Sequence, residues 1–420
     1  MSLTRRAFVT GGSAALLAGC AAGSRSAGRG SGDRLAFWYW DGALSEPVVG
    51  SVLAGLRPRA LITATVVPGD FGQRLTTTLS SGHGVPDITG VKGEDMPTFL
   101  TLAKYFLDLN ELGARDVAGS FVAAKYAQAT TPGGKQVGLP IDLGPTALFL
   151  RSDLWGQAGL PTSVASLARE MSTWEGWFEA ARRLKNRLPG TFAVRNSHDV
   201  FGVALSQEPE TFLARSGEFT GDGGGVRRAW HLAVRAIAEG LQAGIYADAA
   251  FGAALSDGVL TGHLGPAWNG LDIAGAAPGT SGTWRVAACP GGPGNIGGSY
   301  LTLPATCRNP DVAFACITAI LSPENESRAF TDAAVFPAVT QAYSLPGLTS
   351  GQGFYGGQST IEVFGPAAEN LPDVYDAPGN SDIASSYYTE LSNVEGGKNP
   401  ESAWADAVSA GRRTAKALAG

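Results

Sequence analysis

The residues best suited to chemistry in this 420-residue chain are aromatic and acidic rather than nucleophilic. Trp40 and Asp41 close a strand-like run over 34–40, where they would supply a stacking face and a hydroxyl acceptor side by side. Trp38 shares Trp40's face of that strand, so one of the two is free to be core and the other to face a cleft. Trp268 ends a short run over 261–268, with Gly265 and Pro266 before it and Asn269 and Gly270 after it; a core tryptophan is the alternative. Asp142 stands at a chain bend, where a carboxylate could reach a hydroxyl from either side. Asp87 either caps a turn or meets a ligand, and Tyr300, alternating with Leu301, faces either cleft or core. Phe354 and Tyr355 lie in a glycine-rich loop, and a surface turn seldom exposes two adjacent aromatics.

Covalent catalysis finds less support. His83, His198, His231 and His263 are scattered, with no His-Glu-x-x-His pair, and no Gly-x-Ser-x-Gly elbow follows residue 20. Gly292-Pro293-Gly294-Asn295-Ile296-Gly297 satisfies G-x-G-x-x-G, but a dinucleotide site needs a helix after it, and 299–303 reads as a strand. Asp and Glu are numerous enough that a glycosidase pair stays open as the alternative reading, a secreted glycoside hydrolase. A scaffold without a small-molecule ligand is a third class. Neither metal nor cofactor is expected.

The elements that must position these residues centre on 134–184. Two strands, 136–141 and 146–151, are broken by Asp142-Leu143-Gly144-Pro145, and Gly-Pro cannot continue a regular ladder. A short helix over 152–158 follows, then a helix opening on Ser172-Thr173-Trp174-Glu175, a capping-box pattern. The bend reads as a hinge from which a strand leaves one lobe and seeds a second. Upstream, 44–56, 61–67 and 71–80 alternate helix, strand, helix, which predicts a parallel sheet covered on both faces. Ligands of such sheets sit beyond the carboxyl ends of strands, where Trp40, Asp41 and 92–95 fall.

Further along, 105–109 reads as extended, 201–205 as a strand, 227–241 and 249–255 as helices, and 284–289 as a strand. Asn309-Pro310-Asp311, Ser322-Pro323-Glu324 and Asn399-Pro400-Glu401 each place a capping side chain, then proline, then a carboxylate, the signature of a helix start. Apolar content of 44% against 16% charged residues describes a folded chain, and 420 residues exceed one ordinary core.

The first residues read as an address. Arg5-Arg6 precedes an apolar run too short for the roughly 20 residues of a membrane span. Leu17-Ala18-Gly19-Cys20 resembles a lipobox, with a plain signal peptide as the alternative. Residues 1–19 are then a twin-arginine lipoprotein signal and 20–32 a lipidated Cys20 with a flexible tether, reaching about 20 Å. Cleavage there removes two arginines and no carboxylate, taking the formal charge from −6 to −8, which disfavours nucleic acid as a partner. Cys289, Cys307 and Cys316 match no metal spacing, and a Cys289–Cys307 disulfide is conceivable.

The ordered strings GKQVGLPID, TALFLRSDLWGQAGLP and TWEGWFEAARRL, with FWYWDG, VPDITG, YFLDLN, GPAWNG, WRVAACPGG, GGSYLTLP, RNPDVAFACITAILSPEN and FPAV, cover nearly the whole chain after residue 32. Together they resemble family 1 extracellular solute-binding proteins, the carbohydrate receptors of bacterial ABC importers. The resemblance implies an α/β, two-lobed periplasmic-binding-protein fold of type II, a mixed, mostly parallel sheet in each lobe, and a ligand cleft at the hinge. It suggests lobes at 33–142 plus 290–345 and at 143–289 plus 346–420. It also implies a saccharide ligand, permease subunits as partners, a monomer, no catalysis, and attachment through Cys20 to the outer face of the cytoplasmic membrane. Trp268 then matches the family's sugar-stacking tryptophan, and Gly297 and Gly298 bring backbone amides to sugar hydroxyls. A further family aromatic falls near Tyr387 and Tyr388, where this chain has no tryptophan.

Overall fold

A computed structural model describes residues 33–419. The expectations for 1–19, Cys20 and 20–32 lie outside the described residues. No described helix is long and apolar enough to cross a membrane.

The first sheet runs β2-β1-β3-β8-β4, built from β1 Asp33–Tyr39, β2 Ala60–Val66, β3 Ile88–Lys92, β4 Gly138–Pro140 and β8 Ser299–Thr302. β1 pairs in parallel with β2, from Asp33 opposite Ala60 to Tyr39 opposite Val66, and in parallel with β3. β8 is antiparallel to both β3 and β4. The helices Glu46–Leu56 and Phe71–Ser81 make the crossovers between the parallel strands, as the alternation predicts. The second sheet, β6-β5-β7, comprises β5 Thr146–Arg151, β6 Gly262–Pro266 and β7 Trp284–Ala288, and is antiparallel throughout. Strand direction thus departs from the mostly parallel expectation.

The chain passes between sheets at 141–145 and again at 289–298. These connections bond to each other: Thr146 N donates to Gly294 O at 2.9 Å, Ile296 N to Gly144 O at 2.9 Å, and Gly144 N to Asn295 Oδ1 at 2.9 Å. A third segment joins them, because Asp142 bridges to Pro337 and Leu143 N donates to Phe336 O. Gly144 is where contact is closest. A Cβ there would sit 1.9 Å from Ile296 O, so no larger residue fits. Beneath the connections one apolar cluster is continuous, from Phe37 and Ile88 through Ile141 and Leu143 to Phe149, Phe336 and Phe364. A second cluster lies on the far face of the second sheet around Trp155, Trp177, Trp230 and Tyr387.

The proline-headed helices begin as their sequences predict. Asn309 accepts from Val312 N, Ser322 from Asn325 N, and Asn399 from Glu401 and Ser402 N. Elsewhere local reading fails. Residues 201–205 are not a strand but the end of the helix Ser197–Leu205, capped by Asn196, whose side chain accepts from Asp199 N. A short apolar run does not reveal its period, and tertiary packing decides. The 105–109 stretch divides into tight turns around the bridge of Phe106 to Pro304. No capping box forms at Ser172. Thr173 caps the helix Trp174–Arg187, while Glu175 pairs with Arg182 and Arg235 instead of reaching back. Cys289, Cys307 and Cys316 are all free thiols, so the conceivable disulfide is absent.

Candidate functional site

Three adjoining cavities of about 360, 450 and 540 Å³ lie along the side where β1 and β3 end and β8 begins, the first two beside the connections. The first is lined by Trp40, Asp41, Asp142, Trp268, Gly297 and Gly298, with Lys92, Glu94 and Ser299. Six of the sequence-predicted residues therefore meet around one space. Glu94, Trp268 and Gly297 also line the second cavity, with Lys125, Asn295 and Asp376. Asp376 and Gln128 continue into the third, beside Tyr300, Arg215 and Tyr375.

Trp268 sits where the first two cavities meet. It is half-buried and belongs to neither large apolar cluster. Its ring lies against Gly144 and Gly297: Cβ atoms there would approach its carbons to 2.4 and 2.9 Å. The connections thus abut the six-membered ring of the indole. Trp40, also half-buried, is held edge-on to Phe71 with centroids 5.1 Å apart and lies under Lys92 Nζ at 5.7 Å. Trp38 packs beneath Arg74 instead.

Gly297 and Gly298 both adopt positive φ, +69° and +82°. A Cβ on Gly298 would come within 2.6 Å of Asp142 O and 2.8 Å of Lys125 Nζ, so this turn needs glycine for space as well as conformation. Gly297 O accepts from Lys125 Nζ at 2.9 Å and from Asn295 Nδ2 at 3.0 Å. Backbone at this turn is thereby fixed by side chains from two directions.

Of the charges gathered here Lys125 is buried and Asp142 half-buried, while Glu94 and Asp376 are exposed. Lys125 is 2% exposed, its ammonium 4.6 Å from the Tyr300 ring centre. Burial pushes it down to about 8, against the opposing pull of Asp142, Asp376 and Glu94. Burial raises Asp142, whose Oδ1 accepts a short hydrogen bond from the Ser299 hydroxyl. Fixed acceptors beside a buried ammonium orient hydroxyl groups, and the bonds nearest Lys125 form in lower dielectric than at the surface. Among the described residues, no group of three or more His, Cys, Asp or Glu is placed to hold a metal ion.

Three predicted residues lie elsewhere, and a fourth, Tyr300, lies beneath the site. Asp87 is 2% exposed and accepts from Ala36 N at 2.8 Å, Arg308 N at 2.9 Å and Arg308 Nε at 3.0 Å, tying β1 to the chain after β8. None of the three cavities includes it. Tyr300 is buried, and its hydroxyl contacts Gln128 Oε1 at 3.1 Å and Lys125 O at 3.3 Å, so it underlies the site and touches the third cavity. Phe354 and Tyr355 line a separate space of about 420 Å³ beyond the helix Asn269–Ala276, where Phe354 stacks on Trp284. Tyr387 is core, donating to Gly221 O. Conversely, Lys125, Asn295, Gln128 and Asp376 had no signal in the sequence. Lys125 lies on a helix of one turn, Ala123–Ala127, with no periodicity to place its side chain.

Comparison with known proteins now bears on this arrangement. Residues 62–353 match the model of the bacterial extracellular solute-binding proteins. The crystal structure of a family 1 extracellular solute-binding protein superposes with a TM-score of 0.84 at 27% identity, over 91% of this chain and 100% of that one. The galacto-N-biose/lacto-N-biose I-binding protein of an ABC transporter from Bifidobacterium longum shares the fold, with a TM-score of 0.77 at 20% identity over 93% and 98%. The arabinooligosaccharide-binding protein of Bacillus subtilis (strain 168) is 26% identical over 212 residues, 48% of this chain and 47% of that protein. The chain thus spans about half the length of the curated relatives it matches. With two sheets, paired connections and a cleft beside them, the chain belongs to the bacterial extracellular solute-binding proteins.

Proposed function

We propose that this protein captures a carbohydrate in the cavities beside its two connections and delivers it to the permease of an ABC importer. Trp268 carries the reading: a half-buried indole, backed by glycine backbone and open to two cavities, is flanked by Asp142, Glu94 and Lys125. An apolar ring face bordered by acceptors and a donor is what a sugar ring with equatorial hydroxyls requires. The arabinooligosaccharide-binding relative and the disaccharide-binding neighbour support the same ligand class.

The two sheets head two lobes, 33–142 plus 290–345 and 143–289 plus 346–420. Trp40 and Asp41 belong to one, Trp268 to the other. A ligand held by both lobes favours the closed arrangement over the open one, and the closed form docks on the permease. No covalent step enters. Residues 1–19 direct export by the twin-arginine route, and lipid on Cys20 anchors a monomer outside the cytoplasmic membrane; the mass of the exported chain checks the lipid.

Calorimetry against arabino-, galacto- and malto-oligosaccharides tests the ligand class. At least one should bind with no product formed, and Trp268→Ala should weaken it about tenfold or more, roughly 1.4 kcal/mol. Absence of binding across the panel, unaltered affinity in the variant, or hydrolysis at enzyme-like turnover would overturn the reading.

A further inference from the structure

Trp268 immediately precedes the helix Asn269–Ala276, and no side chain caps that helix. What holds its first turn is a chain of polar groups leading into the second sheet. Asn269 Nδ2 donates to Asp272 Oδ2 at 2.8 Å. A carboxylate only accepts, so the amide nitrogen must face Asp272 and Oδ1 must face the other way. There it meets His263 Nε2 at 3.0 Å. An amide oxygen also only accepts, so Nε2 carries a proton. The other ring nitrogen, Nδ1, lies 3.3 Å from Asp199 Oδ2, an ion-pair contact outside hydrogen-bond geometry, and both atoms are buried with no hydrogen-bonding partner, so a bare nitrogen there would face a carboxylate oxygen. Nδ1 therefore needs a proton as well. Only the imidazolium presents N–H on both sides.

His263 is 3% exposed on β6, five residues before Trp268. The charged groups around it come from three directions. Asp199 projects from the helix Ser197–Leu205, and Asp272 ends the chain of bonds on the 269–276 helix. Arg195 opposes the positive charge, but it is paired with Asp248 at 3.3 Å and lies 4.5 Å over the Phe251 ring. The rings of Phe149 and Phe251 also lie beside it, at 6.1 and 5.7 Å.

We propose that His263 is a positioning residue for Trp268: its charged ring ties Asn269 to Asp199 and so seats the indole against Gly144 and Gly297. The inference rests on Trp268 being a ligand-contacting residue. Burial disfavours the charge, yet Asp199, with Asn269, outweighs burial and holds the imidazole above its ordinary range. The raised value fixes the sign. The stabilising contribution is complete below the unfolded value of about 6.5 and is lost as pH rises through the folded value. On deprotonation one ring nitrogen becomes an acceptor facing an acceptor, and the first turn of the 269–276 helix is released.

The test uses the whole ligand-free chain. Side-chain ¹⁵N resonances, assigned with His263→Gln, should show an imidazolium whose titration midpoint lies above the ordinary histidine value of about 6.5. The fluorescence attributable to Trp268, taken as the difference from Trp268→Phe, should change with the same midpoint. That change should vanish in His263→Gln and move to lower pH in Asp199→Asn, each shown folded by circular dichroism. A midpoint at or below the ordinary histidine value, or Trp268 emission indifferent to the titration, would overturn the proposal. Because no ligand is added, failure of the carbohydrate reading leaves this result standing, and the converse also holds.

Discussion

Lys125→Met removes a buried ammonium drawn by Asp142, Asp376 and Glu94 while keeping nearly the same side-chain volume. Gly297 O loses the ammonium but keeps Asn295 Nδ2 at 3.0 Å, so no buried acceptor is orphaned. The change is therefore chiefly electrostatic. In the folded parent, burial first of all lowers Lys125 from 10.5 to about 8. Between those values the unfolded chain binds a proton that the folded chain has released, so parent stability rises with pH there. A depression of that size corresponds to about 3 kcal/mol. Its contribution is complete above the unfolded value and is lost as pH falls through the folded one. Cys289 and Cys316, pushed up to about 12, and Cys307, to about 11, titrate in both proteins and cancel in the difference. Urea unfolding of parent and variant across this interval gives that difference directly. It should shift in the parent's favour by ~3 kcal/mol as pH rises from about 7 to about 10.5. A difference flat within about 0.5 kcal/mol would show that the carboxylates fully offset burial, refuting the account of the site as desolvated.

Two further substitutions separate the site from its supports. Gly144→Ala places a methyl 1.9 Å from Ile296 O and 2.4 Å from the Trp268 ring, and backbone against backbone cannot yield; calorimetric unfolding should show a loss of about 1–3 kcal/mol, with weaker ligand binding. Asp87→Ala strips Ala36 N and Arg308 N of a buried acceptor while the exposed Arg308 guanidinium stays hydrated, and should destabilise the fold by about 1–3 kcal/mol, leaving saccharide affinity in the remaining folded protein unchanged. Burial alone would raise Asp87, but the Arg308 guanidinium and two backbone N–H groups hold it below its usual value. The parent's stability should accordingly fall in acid as this carboxylate protonates, and the variant should lack that part of the acid slope.

What the sequence by itself determined is local chemistry. Asn309, Ser322 and Asn399 announce their helices because a cap acts within three residues of itself. Gly144-Pro145 announces the bend because neither residue continues a ladder, and the ordered strings announce the family. Trp40, Asp41, Asp142, Trp268, Gly297 and Gly298 were legible as candidates because they end strands or sit in the turns that follow them. Only the tertiary structure decided the rest, because burial and pairing depend on partners distant in the chain. Asp87 is claimed by Arg308, 221 residues away. Lys125 enters the cleft only because Gly297 O, 172 residues away, receives it. Residues 201–205 become helical because that form buries Val200, Phe201 and Val203 against Trp230 and Tyr387. His263, one of four scattered histidines, gains its role from Asp199 on a neighbouring helix, and no spacing rule connects a strand residue to a charge set beside it by packing.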